Sequence, residues 1–390
     1  MSSRRTAGFV SAFYNPLQVP NAPTDVSASA GTDGTASVSF TAPANVGGGS
    51  ITGYGVVSNT GVSTTGSSSP ITVSGLVDGS FYTFRVWAIN SYGPSPQSSE
   101  TGSVSPSASR GLFGGGGSSG NVIDYVAIAT TGNATDFGDL YAGRYGISSC
   151  ASSTRGLWGA GFIDPSTYEN RVDYVTIATT GNAALFGDLT VKRDNLAACS
   201  SSTRGLFGGG YDNTNFSNVI DYITMASAGN ATDFGDLTVG RRVLGSCSSA
   251  TRGVWGGGYR APSDYATTDY VTIASTGNAV SFGSLTAARS YLAGCSSSTR
   301  GLFGGGFGSN IIDYITIAST GSATDFGDIV GTSYALSACS SSTRGVFAGG
   351  YTTNVIEYVT INTTGNATDF GDLTVARGGL AACSNGHGGL

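Results

Sequence analysis

The alternation of apolar and polar residues divides this chain into two dissimilar stretches that meet near residue 107. In residues 19–106, short alternating runs are separated by Gly, Ser and Pro clusters: "DVSASA", "TASVSFTAP", "ITGYGVVSN", "ITVSGL" and "FYTFRVWAIN". Period-two runs of this length, bounded by turn residues, predict a two-sheet sandwich of seven or so strands. "SSETGSVSP" is expected to be its last strand. From residue 107 to 390 the alternation becomes periodic on a larger scale. The anchor Arg-Gly-[Leu/Val]-[Phe/Trp] starts at Arg110, Arg155, Arg204, Arg252, Arg300 and Arg344, at intervals of 44 to 49 residues. That is the length of one β-propeller blade.

Each repeat holds four strand-like runs. In the third they are "NLAACS" (a), "TRGLFGGG" (b), "VIDYITMAS" (c) and "ATDFGDLTVG" (d). A Ser/Thr turn joins a to b, and the Gly–Asn of "AGN" is read as the turn between c and d, supplying positive φ. Aromatic positions recur in strand b (Phe113, Trp158, Phe207, Trp255, Phe303, Phe347), in c as tyrosine and in d as phenylalanine. Regular repetition is what packing between blades demands, so these rings are assigned to the core. A single cysteine recurs in strand a, from Cys150 to Cys383. Equivalent positions on successive blades are too far apart for disulfides, and the thiols are read as small buried apolar groups.

Anchors and cysteines each number six but are out of step. The first anchor follows "SVSPSAS", which the sandwich already uses, and the last cysteine has no full anchor after it. "GGLAACSNG" is therefore expected to supply strand a of the first blade, closing a six-bladed ring from the far end of the chain.

Both stretches resemble known families. "LVDGSFYTFRVWAINSYGPS" is similar to the E–F corner and F strand of fibronectin type III domains, with Tyr82 as the corner tyrosine. Leu76, Gly79, Phe84, Val86, Ala88, Asn90 and Gly93 also fall in place, and Phe40 stands where that family usually has tryptophan. The repeats resemble kelch propellers in their small-residue a strand, Gly-Gly after b, tyrosine in c and aromatic in d, over about 280 residues. Here the d-strand aromatic is phenylalanine instead of the family's tryptophan. The fold expected is all-β: a fibronectin type III-like sandwich followed by a six-bladed kelch-like propeller.

Composition narrows the function. The net charge of −6 argues against a nucleic-acid surface. No apolar run is long enough to span a membrane, and no secretory signal is visible at the start. With one histidine, His387, and no paired cysteines, neither a metal nor a cofactor is expected. Two acids in "DFGD" invite a calcium reading, but repeats two and four lose one or both. Three glutamates without an obvious pairing leave little for an enzyme.

Arg144, Arg193, Arg241, Arg289 and Arg377 recur before strand a, with Ser333 breaking the series, and acids recur in strand c from Asp124 to Glu357. Paired charges at fixed positions are the expected reading, and an anion-binding arginine ring at a channel mouth is the alternative. The a–b and c–d loops are nearly invariant, whereas the b–c loops differ in every repeat. Variable loops on a rigid scaffold are where recognition resides, and Phe162, Tyr168, Tyr211, Phe216, Tyr259 and Tyr265 are the candidate contact residues. Residues 1–18 carry Phe9, Phe13, Tyr14 and Leu17, read as a docking arm or as a frayed terminus.

The start "RRTAGFVSAFYNPLQVP", the fibronectin-like module and the repeats together look like virion structural proteins of marine bacteriophages, cyanophages among them. That resemblance implies a non-enzymatic virion protein assembled in the host cytoplasm. Its arm and sandwich would hold other virion proteins, and its variable face would meet a host surface glycan or protein. A tail-fibre or tail-appendage module is expected first and a head decoration protein second; a polysaccharide-acting enzyme or a lectin comes last.

Overall fold

The computed structural model describes residues 17–117 and 120–390. Phe9, Phe13 and Tyr14 of the expected arm lie outside them, and Leu17 is exposed. Among the described residues every regular element is a strand. The chain separates into a unit ending at Ala108 and a unit from Ser109 to Leu390.

In the first unit, β1 (Thr24–Ala30), β2 (Ala36–Thr41) and β5 (Ile71–Val73) form one sheet. β4 (Ser63–Gly66), β3 (Gly53–Ser58), β6 (Phe84–Asn90) and β7 (Gly93–Pro94) form the other. Alternation sets the core: Phe84, Val86 and Ala88 point inward from β6 against Val38, Val56 and Val73, all fully buried. The Tyr82 hydroxyl accepts the Val77 N–H at 2.9 Å, fixing the corner expected of it. Phe40 packs on Tyr54 with ring centroids 4.7 Å apart.

The expected last strand is not a strand. Beside β6 the chain advances three residues for every two, so that Ser95, Ser98 and Thr101 face Ala88, Val86 and Phe84. Each donates its N–H to the opposite carbonyl and accepts the opposite N–H on its hydroxyl, at 2.8–3.0 Å. Three hydroxyls thus replace backbone carbonyls, a substitution that Ser and Thr make readily and that alternation cannot reveal.

The second unit contains six four-stranded antiparallel sheets, numbered I–VI here by their b strands. Strands a–d of sheet II are Ser148–Ala151, Arg155–Ile163, Thr167–Thr176 and Ala184–Asp188; sheets III to VI follow the same order. Sheet I joins Ala381–Ser384 to Arg110–Gly114, with Cys383 opposite Leu112, so its a strand comes from the other end of the sequence. Each a strand touches those of two other sheets, and the contacts run in cyclic order from I to VI and back to I.

Glycine and cysteine make this close approach possible. A Cβ on the anchor glycine would lie 2.4–3.0 Å from a cysteine Sγ of the preceding sheet, as at Gly253 against Cys199 and Gly156 against Cys383. The thiol therefore fills a notch that only glycine leaves open. All six cysteines are buried and free, and burial pushes the thiols up, to about 12 at Cys295 and Cys383. They pack as inert apolar groups.

The "GNA" segment is not an autonomous hairpin turn. Its glycine N–H donates to the phenylalanine carbonyl of the preceding sheet's d strand, as Gly181 to Phe137 and Gly132 to Phe370. In five sheets its asparagine accepts the N–H of the last residue of that strand, as Asn182 from Asp139 and Asn133 from Asp372, at 3.0–3.1 Å. The loop is repeated because it clasps a neighbour, which is why this face is uniform.

Candidate functional site

The six residues two places after the arginine position (Gly146, Asn195, Val243, Tyr291, Ala335 and Gly379) all adopt positive φ, between 51° and 69°. Each donates its N–H to the equivalent carbonyl of the preceding sheet at 2.7–3.2 Å, Gly146 to Gly379 included, so the six bonds form a closed cycle. The cycle borders a central cavity of about 110 Å³, lined by all six a strands and the residues just before them.

A second set of bonds follows the last residues of the a strands. Ser200, Ser248, Ser296, Ser340 and Ser384 donate their hydroxyls to the preceding sheet's carbonyl. Ala151 interrupts this series, and His387 Nε2 bonds its carbonyl at 2.9 Å. The Gly389 N–H donates to Nδ1, so the proton sits on Nε2.

The arginines lie within the sheets. Arg144, Arg193, Arg241, Arg289 and Arg377 are 0–4% exposed and pair with Asp173, Asp221, Asp269, Asp313 and Asp124 at 2.7–3.0 Å. Four of them also donate to a b-strand carbonyl, as Arg193 does to that of Phe207. Burial lowers the arginine pKa at four of the five sites, and the aspartates oppose it. An anion ring at a channel mouth requires accessible guanidinium groups, so these residues serve as internal struts instead. The anchor arginines, too, are structural: each stacks 4.5–5.2 Å over its own c-strand tyrosine and donates to a carbonyl of the next sheet.

On the b–c side, five of the six candidate contact residues come together. The rings run Tyr145–Phe162–Tyr168–Tyr211–Phe216–Tyr259, with successive centroids 4.9–6.3 Å apart. The segments that carry them are ordered in different ways. In sheet II the b and c strands simply extend, placing Phe162 opposite Tyr168. In sheet III the Asp212 carboxylate accepts the N–H groups of Thr214 and Asn215, closing a turn that brings Tyr211 and Phe216 together. In sheet IV, Tyr259–Arg260 pairs with Ser263–Asp264. Tyr265 stands outside the run; its N–H donates to the Gly258 carbonyl and its carbonyl accepts the Arg289 N–H.

Three residues of this site escape a reading confined to the b–c loops. Tyr145, Asp194 and Arg242 each follow the strut arginine and bridge to Phe162, Tyr211 and Tyr259. Aligned on that arginine, the next residue reads Tyr, Asp, Arg, Ser, Tyr, Gly around the sheets. That variability was the available signal.

Arg242 Cζ lies 5.0 Å from the Tyr211 centroid and within 6 Å of those of Phe216 and Tyr259. Beneath lies Asp194, 6% exposed, one oxygen bonded by the Asn195 amide and the other unpartnered among the described residues. Burial pushes its carboxyl up to about 6, with Asn195 and Arg242 pulling the other way. A half-buried aromatic strip with a cation laid on it can stack against flat apolar faces and donate hydrogen bonds beside them. No group of three or more metal-binding side chains is present among the described residues.

Residues 21–104 match the model of the fibronectin type III domain family. No curated protein matches the chain.

Proposed function

We propose that the six sheets are the blades of a kelch-like β-propeller, and that the protein is a non-enzymatic recognition module of a bacteriophage virion. The closed cycle of six backbone hydrogen bonds supports the propeller. The virion setting rests on the resemblance of the whole sequence to phage structural proteins. The observation that carries recognition is the aromatic run from Tyr145 to Tyr259 with Arg242 across it, confined to three adjacent sheets.

Contiguous rings with one fixed donor across them suit a glycan, whose pyranose faces are apolar and whose edges are hydroxyls. The reading is therefore attachment to a host surface polysaccharide through this strip. Purified protein should bind an array of bacterial surface polysaccharides. Tyr168→Ala and Tyr211→Ala should each weaken the binding roughly tenfold, and Leu185→Ala, exposed on another strand, should leave it unchanged. Binding that ignores both tyrosines would sink the assignment. Gold-labelled antibody on purified particles tests the setting. Label on tails fits an attachment module, label on heads fits a decoration protein, and no label on particles overturns both.

A further inference from the structure

Five sheets bury a guanidinium of their own and the sixth does not. In sheet VI, Ser333 occupies the arginine position and Glu357 the aspartate position. The carboxylate is retained and remains 7% exposed. One oxygen accepts the Val330 N–H at 2.7 Å, and the other has no hydrogen-bond partner among the described residues. Burial raises the pKa of this group, and among the described residues no cation forms an ion pair with it.

The glycine that flanks the arginine side chain is retained as well. In sheets II, III and IV a Cβ on the equivalent glycine (Gly161, Gly210 or Gly258) would lie 3.3–3.4 Å from Cδ of Arg144, Arg193 or Arg241. Sheet VI keeps that glycine as Gly350, with φ +135°, and the space meets Ser333 Cβ and the Thr353 methyl instead. At its margin Tyr334 stacks on Tyr351 (centroids 5.4 Å apart, planes 17° apart), and Phe307 lies 5.3 Å from Tyr334. Phe307 and Tyr351 are 65% and 69% exposed.

We propose that sheet VI is a socket for an arginine side chain of a partner protein, whose guanidinium takes the place filled internally in the other five sheets. Those five copies define the ligand. Each sets a planar guanidinium against a carboxylate, and most also use a b-strand carbonyl, a geometry that an ammonium does not match. Exposed aromatic faces beside a desolvated carboxylate favour a cation, and they offer apolar contact to the residues flanking the incoming arginine. The site is separate from the aromatic run of sheets II to IV and stands or falls independently of it.

Methylguanidinium is a direct probe. At millimolar concentration and mildly alkaline pH it should raise the Tm of the full chain saturably, and methylammonium should do so less. Ser333→Arg should abolish the effect by filling the slot. Glu357→Gln should weaken binding by about tenfold or more, which keeps the test decisive if the arginine variant fails to fold. Crystals soaked in the probe should show it against Glu357. No saturable shift, or an equal shift in both variants, would overturn the proposal.

Discussion

Asp194 and the Gly253–Cys199 contact illustrate two ways in which a single residue constrains this protein. Asp194 ionises ordinarily near 3.8 and is held up to about 6 by burial. Between those values the folded protein binds its proton more tightly than the unfolded chain does. Stability from this group is therefore present at low pH, falls as pH rises through the window, and stays reduced above it. A gap of two units corresponds to about 3 kcal/mol at most. Asp194→Asn should accordingly raise stability at neutral pH, and the gain should fade towards pH 4; thermal unfolding of both proteins across that range checks it. A pH-independent difference would rule out desolvation as the cause.

Gly253 fails for a different reason: its added Cβ would sit 2.6 Å from the Cys199 sulfur. Gly253→Ala should cost about 1–3 kcal/mol, and Cys199→Ala in the same chain should recover part of it. Simple additivity would refute the notch. At this scale the sequence was half legible. Glycine and cysteine recur visibly, but that one exists to receive the other is a contact between residues 54 apart in the chain.

At the scale of elements, the repeat announced its strands and concealed its connections. Apolar patterning placed strands b, c and d correctly, because b is buried on both faces and c and d each carry buried apolar positions at fixed places. The c–d loop was open to misreading, since a segment repeated for its own turn and one repeated to hold a neighbour look alike in sequence. Sheet V offers the natural control. Ser322 replaces the asparagine there, and the Ser284 N–H that it would accept lacks the bond made in the other five clasps. Ser322→Asn should restore it and stabilise the protein by about 0.5–1.5 kcal/mol. Asn278→Ala should remove the bond from Asp236 and cost a similar amount, measured by urea denaturation at constant m value. If Ser322→Asn is neutral while Asn278→Ala is costly, sheet V holds its neighbour by other means.

For the whole molecule, the decisive feature is the seam. Sheets II to VI are each built from contiguous sequence, whereas sheet I needs Ala381–Ser384 to reach Arg110–Gly114 across nearly the whole unit. That requirement was legible in the mismatch of anchors and cysteines, but the latch beside it was not, because one histidine among glycines carries no pattern. His387 bonds the Ala151 carbonyl and accepts the Gly389 N–H where the serine series is broken. Burial holds its pKa below the ordinary 6.5, with the bond to Ala151 opposing. Its stabilising contribution is complete above 6.5 and is lost as pH falls below that value, since protonation takes the acceptor from Gly389 and places a charge in a desolvated site. This runs opposite in sign to Asp194, so the two are separable by mutation. Acidification should open the seam before the rest of the unit, and hydrogen exchange at Leu112 and Cys383 should rise ahead of exchange in the c strands. His387→Gln can bond the Ala151 carbonyl but cannot titrate, so it should keep neutral-pH protection and abolish the acid-induced rise. The same rise in that variant would assign the acid sensitivity to groups other than the latch.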